Sequence, residues 1–291
     1  VSKLSQRARE ENVSLFMYLI TIANLLMHRF SNQTDILLGM PVANRKRKEV
    51  EGVIGYFANT LVLRNDLAGN PTFRELLGKV RAVCLEAFNN EDTPFEQIVG
   101  ALQPERDRSR TPIFQAMFSY IEEVDHARSI GDVKMSRLLV ERQVARTDLA
   151  MWLTKNGEQI RYAFEYASQL FEHTTIQQLV TGFKILAEAA ADNPESRISA
   201  LPAMPEDVKQ KLLVGWNDTQ VEYPKESSLP RLFESTAASG GERPAAIFSG
   251  EEISYDALNR QSNRLAHYLL KTGVKAGDKV GICMDRSLDM L

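Results

Sequence analysis

Between Leu15 and Met27 the chain is apolar on almost every side of a helix, and this stretch constrains the fold more than any other. Leu15, Leu19, Ile22 and Leu26 recur at helical spacing, and Ser14 stands where an N-cap belongs. A helix that is apolar on most sides is a buried one. Interrupted by Tyr18, Thr21 and Asn24, the run is too short for the ~20 apolar residues that span a bilayer. The spacing therefore predicts a core helix from Ser14 to about His28, where the ring suits the helix C-terminus.

The elements predicted around that helix are of both kinds. Short strands are read at Ile36–Gly39, ended by Pro41, and at Thr60–Leu63. Pro71 opens an amphipathic helix through Phe73, Leu76, Leu77, Val80, Val83, Cys84 and Ala87, and Pro94 opens another carrying Phe95, Ile98, Val99 and Leu102. Strand signals return at 113–120, 137–140, 149–154 and 160–164, with a turn at Asn156-Gly157. A last helix carries Leu170, Ile176, Leu179, Phe183 and Leu186 and stops before Asn193-Pro194. Strands and helices mix without strict alternation, so the expected class is α/β with a mixed-sheet sandwich, not a doubly wound Rossmann pattern.

The texture changes after Pro194. Prolines at 202, 205, 224 and 230 with polar residues between them predict an ordered linker, docked through Leu201, Leu212, Leu213 and Trp216. A new series follows: helix 229–238, hairpin 246–253 turned at Ser249-Gly250, helix 255–272 and strand 279–284. With 291 residues there is room for two domains of about 100–200 residues each. The division expected is 1–198, a linker at 199–228, and the start of a second domain at 229–291. Val1 is not an initiator Met, and Ser287 caps a helix that stops at Leu291, so the sequence is expected to be a piece of a longer chain.

Charge and cysteine usage narrow the function. A net charge of −3 argues against a protein that coats nucleic acid. The basic run Arg45-Lys46-Arg47-Lys48 reads as a solvated loop, with a phosphate-contact patch as the alternative. Cys84 and Cys283 are too far apart for a disulfide framework, and the start carries no signal peptide, so the expected place is the cytoplasm. Neither a nucleic-acid nor a membrane partner is expected. The nucleophile-elbow, phosphate-loop and dinucleotide motifs are missing, and His28, His126, His173 and His267 lack metal-ligand spacing.

Three segments place special residues where a core element does not need them. Ile54-Gly55-Tyr56-Phe57-Ala58-Asn59-Thr60 sets an aromatic pair and an amide ahead of a strand. Asn59 suits either holding a substrate amide or satisfying loop backbone. Asn90-Glu91-Asp92-Thr93-Pro94-Phe95-Glu96 brings acids to a helix start, where Asp92 can cap and Glu96 lies in the first turn. Arg106-Asp107-Arg108-Ser109-Arg110-Thr111-Pro112 alternates charge, as a salt-bridged loop does.

In this order the three segments resemble late motifs of nonribosomal peptide synthetase condensation domains. Ile54–Arg64 is similar to the family's Ile-Gly-x-Phe-x-Asn-Thr stretch, Asn90–Glu96 to His-Gln-Asp-x-Pro-Phe-Glu, and Arg106–Pro112 to Arg-Asp-x-Ser-Arg-x-Pro. Gly39–Arg45 resembles the segment upstream of them. Asn90-Glu91 replaces the usual His-Gln, and Thr147-Asp148-Leu149 the usual Phe-Asp-Leu; both concern subtype. Trp216-Asn217-Asp218-Thr219 with Tyr223-Pro224 resembles the linker into adenylation domains, and Ile253–Asn259 their first core motif.

The resemblance implies the C-terminal half of a chloramphenicol-acetyltransferase-like sandwich followed by the start of an adenylate-forming domain. Two peptidyl carrier domains of the same synthetase would present thioesters on 4′-phosphopantetheine arms for amide formation. The family's His-His-x-x-x-Asp-Gly segment has no counterpart, so no catalytic residue is assigned and the piece alone is expected to be inactive. It implies a tunnel wall drawn from Tyr56, Asn59, Thr60, Asp92, Pro94, Glu96, Arg106, Asp107, Ser109, Arg110 and Asp148, with Asp148 on a strand facing the cleft. No cofactor or metal is expected on these residues; ATP and magnesium belong to a complete adenylation domain. The alternatives are a free-standing acyltransferase of this fold, a carrier-docking module without catalysis, and an epimerisation domain.

Overall fold

The protein is described by a computed structural model, which covers residues 1–105, 107, 110–123, 129–130, 133–134 and 144–291. It divides into two compact units, Val1–Asn217 and Asp218–Leu291.

The first unit begins with α1 (Ser2–Glu10) and α2 (Leu15–Ser31), then β1 (Asp35–Val42), the single turn α3 (Lys48–Glu51) and β2 (Asn59–Asp66). Helices α4 (Phe73–Asn89) and α5 (Phe95–Leu102) lead to β3 (Ala116–Glu123), a two-residue pair β4 (Ser129–Ile130) and β5 (Val133–Lys134), and then β6 (Leu149–Asn156) and β7 (Gln159–Tyr166). Helices α6 (His173–Asp192) and α7 (Glu206–Leu213) close the unit. Five strands form one sheet in the order β2-β1-β3-β6-β7. β1 pairs with β2 and β6 with β7 antiparallel, whereas β3 runs parallel to both of its neighbours. The sheet is mixed, as the unalternating pattern predicts.

Helix α2 is the buried centre. Ser14 caps it by accepting the Met17 N–H at 3.1 Å, and Tyr18, Leu19, Ile20, Ile22, Leu25 and Leu26 are fully buried. Each such aliphatic side chain contributes on the order of 1.5–3 kcal/mol on leaving water. Thr21 and Asn24 find hydrogen-bond partners inside that core. Thr21 Oγ1 donates to the Met17 carbonyl and Asn24 Nδ2 to that of Ile20, while Asn65 Nδ2 reaches Asn24 Oδ1 at 3.3 Å. Helices α4 and α6 flank α2, and the face of the sheet carrying Leu38, Leu63, Phe118 and Met151 closes the same core. Together α1 and α2 are long and apolar enough to cross a membrane, but they are bent by 98° and α2 is buried; no single helix of the described residues is.

Several boundaries differ from the sequence reading. β1 continues through Pro41, which stands opposite Thr60. Its pairing with β3 is limited to Leu38 and Gly39, so one side of the strand is free of a ladder where the prolyl N–H is missing. Thr72, not Pro71, starts α4: its hydroxyl accepts the Glu75 N–H at 3.2 Å while Glu75 Oε2 accepts the Thr72 N–H at 2.8 Å. The β6–β7 loop is Gly157-Glu158, with Asn156 paired to Gln159 and only Gly157 at positive φ (+55°). The strand read at 137–140 lies outside the described residues. Helix α6 starts at His173, leaving Leu170 exposed before it.

Charged residues fasten the periphery. Arg74 Nε and Nη2 each donate to the Glu11 carboxylate at 2.8 Å, and Arg74 also pairs with Glu195. The Arg74 hydrogen bond holds the Glu11 carboxyl below its ordinary range. A depressed folded-state pKa means stability that is complete above the unfolded value and lost as pH falls through the folded one. Urea midpoints measured from about pH 6 down to about pH 3 should therefore fall less steeply in Glu11→Gln than in the parent. Equal slopes in the two proteins would show that this pair contributes nothing.

The start of the expected linker docks: Leu201 and Ala203 are buried, and Arg29 Nη1 donates to the carbonyls of Ile198, Ser199 and Leu201. Of the other residues expected to dock it, Leu212 is half-buried, while Leu213 and Trp216 are 63% and 65% exposed. The second unit comprises α8 (Leu229–Gly240), the hairpin of β8 (Pro244–Phe248) and β9 (Glu251–Ser254), and α9 (Tyr255–Lys271). Ser249 and Gly250 both take positive φ, as a two-residue hairpin turn requires. Ser254 caps α9 by accepting the Ala257 N–H. The strand expected at 279–284 is not formed: Val280, Ile282 and Met284 are exposed, and a strand without a hydrogen-bonding neighbour does not persist.

Candidate functional site

The first residue of β2 organises the site. Asn59 Nδ2 donates to the carbonyls of Glu91 and Thr93 at 2.8 and 2.7 Å. Its Oδ1 accepts the N–H groups of Thr60 and Phe95 at 2.8 and 3.1 Å. A primary amide has two donor hydrogens and two acceptor lone pairs, and all four are occupied. Phe95 opens α5, whose N-cap is Pro94, a residue with no side-chain oxygen. Asn59 therefore caps that helix from another element. Of the two readings left open for it, the geometry supports satisfaction of loop backbone. Asp92, read as the cap, is exposed instead.

The basic run divides in two. Arg47 and Lys48 are exposed, as a solvated loop requires. Arg45 is half-buried and donates to the carbonyls of Val50, Val53 (2.8 Å) and Gly55 (3.1 Å), with its guanidinium 4.4 Å from the centre of the Phe57 ring. It gathers the loop 50–57. Lys46 Nζ donates to the Phe88 carbonyl at 3.0 Å, near the C-terminal end of α4, and pairs with Glu91 Oε1 at 3.2 Å. Glu91, where the family commonly has Gln, is 8% exposed, and Lys46 is the cation that compensates it.

Lys46→Met should therefore leave a buried carboxylate unpaired and lower stability by about 1–3 kcal/mol. Adding Glu91→Gln to that variant should recover part of the loss, measured by urea unfolding. A double variant no more stable than the single one would deny the coupling.

A third tie runs through aromatic rings. Phe95 packs on Phe114 at 5.6 Å between centres, and the Phe114 ring lies close against Gly39 of β1. A Cβ on Gly39 would stand 2.3 Å from the ring. The Phe114 N–H reaches the Pro112 carbonyl at 2.9 Å across Ile113, whose φ is +74°. This is a γ-turn of the rare kind, and it is strained for a β-branched residue. It throws Phe114 onto the strand.

The sequence-predicted residues fall into four groups. Asn59, Thr60, Asp92, Pro94 and Glu96 are brought together by the Asn59 amide, with Thr60 half-buried and the side chains of Asp92, Pro94 and Glu96 exposed. Tyr56 is 92% exposed beside a fully exposed Ile54. Asp107 and Arg110 pair at 3.5 Å, as the salt-bridged-loop reading expects, while Arg106 and Ser109 lie outside the described residues. Asp148 is not on a strand; it is half-buried in the bend before β6, where its carbonyl accepts the Ala167 N–H at 3.0 Å. Lys46, Gly39 and Phe114 were missed as site-builders, although a glycine inside a strand signals close approach of another group. Among the described residues, no group of three or more His, Cys, Asp or Glu could hold a metal.

Residues 1–213 match the family model described as Condensation domain. The chain belongs to that family. Residues 233–291 match the AMP-binding enzyme model, so a condensation domain is followed by the start of an AMP-binding domain. Among similar proteins are linear gramicidin synthase subunits B and D of Brevibacillus parabrevis, 40% and 38% identical over the whole chain. The chain spans 6% of the length of each of these relatives. A crystal structure of a four-domain nonribosomal peptide synthetase bound to AMP and glycine superimposes with a TM-score of 0.77 at 20% identity, over 95% of this chain and 22% of that one. The condensation-domain sheet is thus the mixed, acetyltransferase-like one expected, and a doubly wound sheet is excluded by its topology.

Proposed function

We propose that the chain is the C-terminal part of a condensation domain and the start of the next adenylation domain in a peptide synthetase elongation module. Residues 199–228 would connect the two. The observation that carries this reading is the convergence of Gly39–Lys46, Ile54–Asn59 and Glu91–Phe95 through hydrogen bonds, an ion pair and ring contacts.

In the proposed reaction, the neutral amine of an acceptor aminoacyl group attacks the thioester carbonyl of a donor. The C–N bond forms and the C–S bond breaks. The donor carrier's thiol leaves with the proton the amine gives up. Holding two reactants in attack geometry supplies several kcal/mol of the barrier, and walls of a tunnel suit that role. The thioesters ride on 4′-phosphopantetheine arms of flanking carrier domains, and ATP with magnesium serves the complete adenylation domain; this part of the chain supplies wall and support. A cytoplasmic location accords with such substrates.

The test is to supply the full-length protein with both carriers loaded and to weigh the carrier-bound product by mass spectrometry. An amide-linked product on the downstream carrier is expected, and none from residues 1–291 alone. Absence of product from the full-length protein would refute the assignment.

A further inference from the structure

We propose that Asn59 is a positioning residue, which sets the Glu91–Phe95 turn on the first residue of β2 and never touches substrate. This rests on the condensation reading above. Both donor hydrogens and both lone pairs of the amide are committed to backbone, so none is left for a reactant. Glu91 points inward to Lys46, whereas Asp92 and Glu96 are exposed, with no hydrogen-bond or ion-pair partner among the described residues. Their placement depends on the backbone that Asn59 grips.

Among the described residues nothing else takes over the grip. Within the turn, the Thr93 N–H reaches the Asn90 carbonyl at 3.1 Å and the Gln97 N–H reaches that of Pro94 at 3.0 Å; neither satisfies Glu91 O, Thr93 O or the Phe95 N–H. Removing the amide frees those three groups at once. Lys46 and the Phe95–Phe114 contact would keep the segment near the sheet, so Asn59→Ala should loosen the turn without unfolding the domain.

The experiment uses the full-length protein and two readouts. Hydrogen exchange of Asn59→Ala should be at least about tenfold faster at the Phe95 amide, which has lost its acceptor. The single-turnover rate constant for amide formation should fall about 100-fold, as small misplacements do. The amplitude per molecule should be unchanged, because loss of folded enzyme would lower amplitude and leave the rate constant. Asn59→Asp keeps an acceptor for Phe95 but turns a carboxylate toward two carbonyls. It should retain Phe95 protection while losing rate. A slow Asn59→Ala with parental exchange would mean that Asn59 contacts substrate, and fast exchange with a parental rate would mean that the turn positions nothing. Either overturns the proposal. A parent protein that forms no amide would sink the functional reading first, before any variant is made, and the positioning role with it.

Discussion

Gly39→Val is expected to destabilise the first unit by about 1–3 kcal/mol and to disturb the motif cluster, because it drives a side chain into an aromatic ring. The obstruction is severe: ring atoms of Phe114 lie 2.3, 2.4 and 2.7 Å from where the new Cβ must be. The ring cannot swing away cheaply, being 3% exposed and backed by Phe95. Gly39 cannot retreat either, since β1 is hydrogen-bonded to β2 on one side and to β3 on the other at this residue. The displacement should therefore pass through Phe95 to the start of α5. Combining Gly39→Val with Phe114→Leu should be less destabilising than the sum of the single changes, as coupled neighbours are. Additivity in a urea-unfolding cycle would disprove the contact.

Phe73→Ala should have the largest effect on stability, about 3–5 kcal/mol. Phe73 is fully buried and meets the Tyr18 ring edge-on at 5.3 Å, joining α4 to the central helix. Its backbone is committed as well: the Phe73 N–H donates to the Ser196 carbonyl and the Arg74 N–H to that of Pro194. The segment after α6 is thus stitched to the same helix start, and the cavity cannot collapse without breaking those bonds. Since whole domains are stable by only ~5–15 kcal/mol, this variant should unfold far below the parent midpoint. A shift under about 1 kcal/mol would show that the site repacks.

Much of the fold was legible because it follows from local pattern. The apolar run after Ser14 could only be a buried helix, and it became the centre of the core. The Ser249-Gly250 turn and the Ser254 cap were readable from short-range chemistry. The misreadings were of another kind. A proline lacks a donor, so the local pattern ends the strand at Pro41, yet the ladder of β1 toward β3 has already stopped at Gly39. Segment 279–284 has strand composition and no strand, because a strand exists through its neighbour.

The motif residues were found by resemblance, while their roles came from contacts. Asn59 offered two uses in the sequence, and only the placement of Glu91, Thr93 and Phe95 around it shows all its valences engaged. Lys46 looked like one member of a solvated run, since nothing local announces a buried acid forty-odd positions away. By itself the sequence determined the buried helix, the mixed succession of strands and helices, the change of texture after Pro194 and the family. Those depend on periodicity, turn chemistry and the order of short motifs. Strand order, the pairing of Lys46 with Glu91, the seat of Phe114 on Gly39 and the grip of Asn59 were decided by the tertiary structure alone. Each is a contact between distant residues, and its energy exists only once the chain has brought them together.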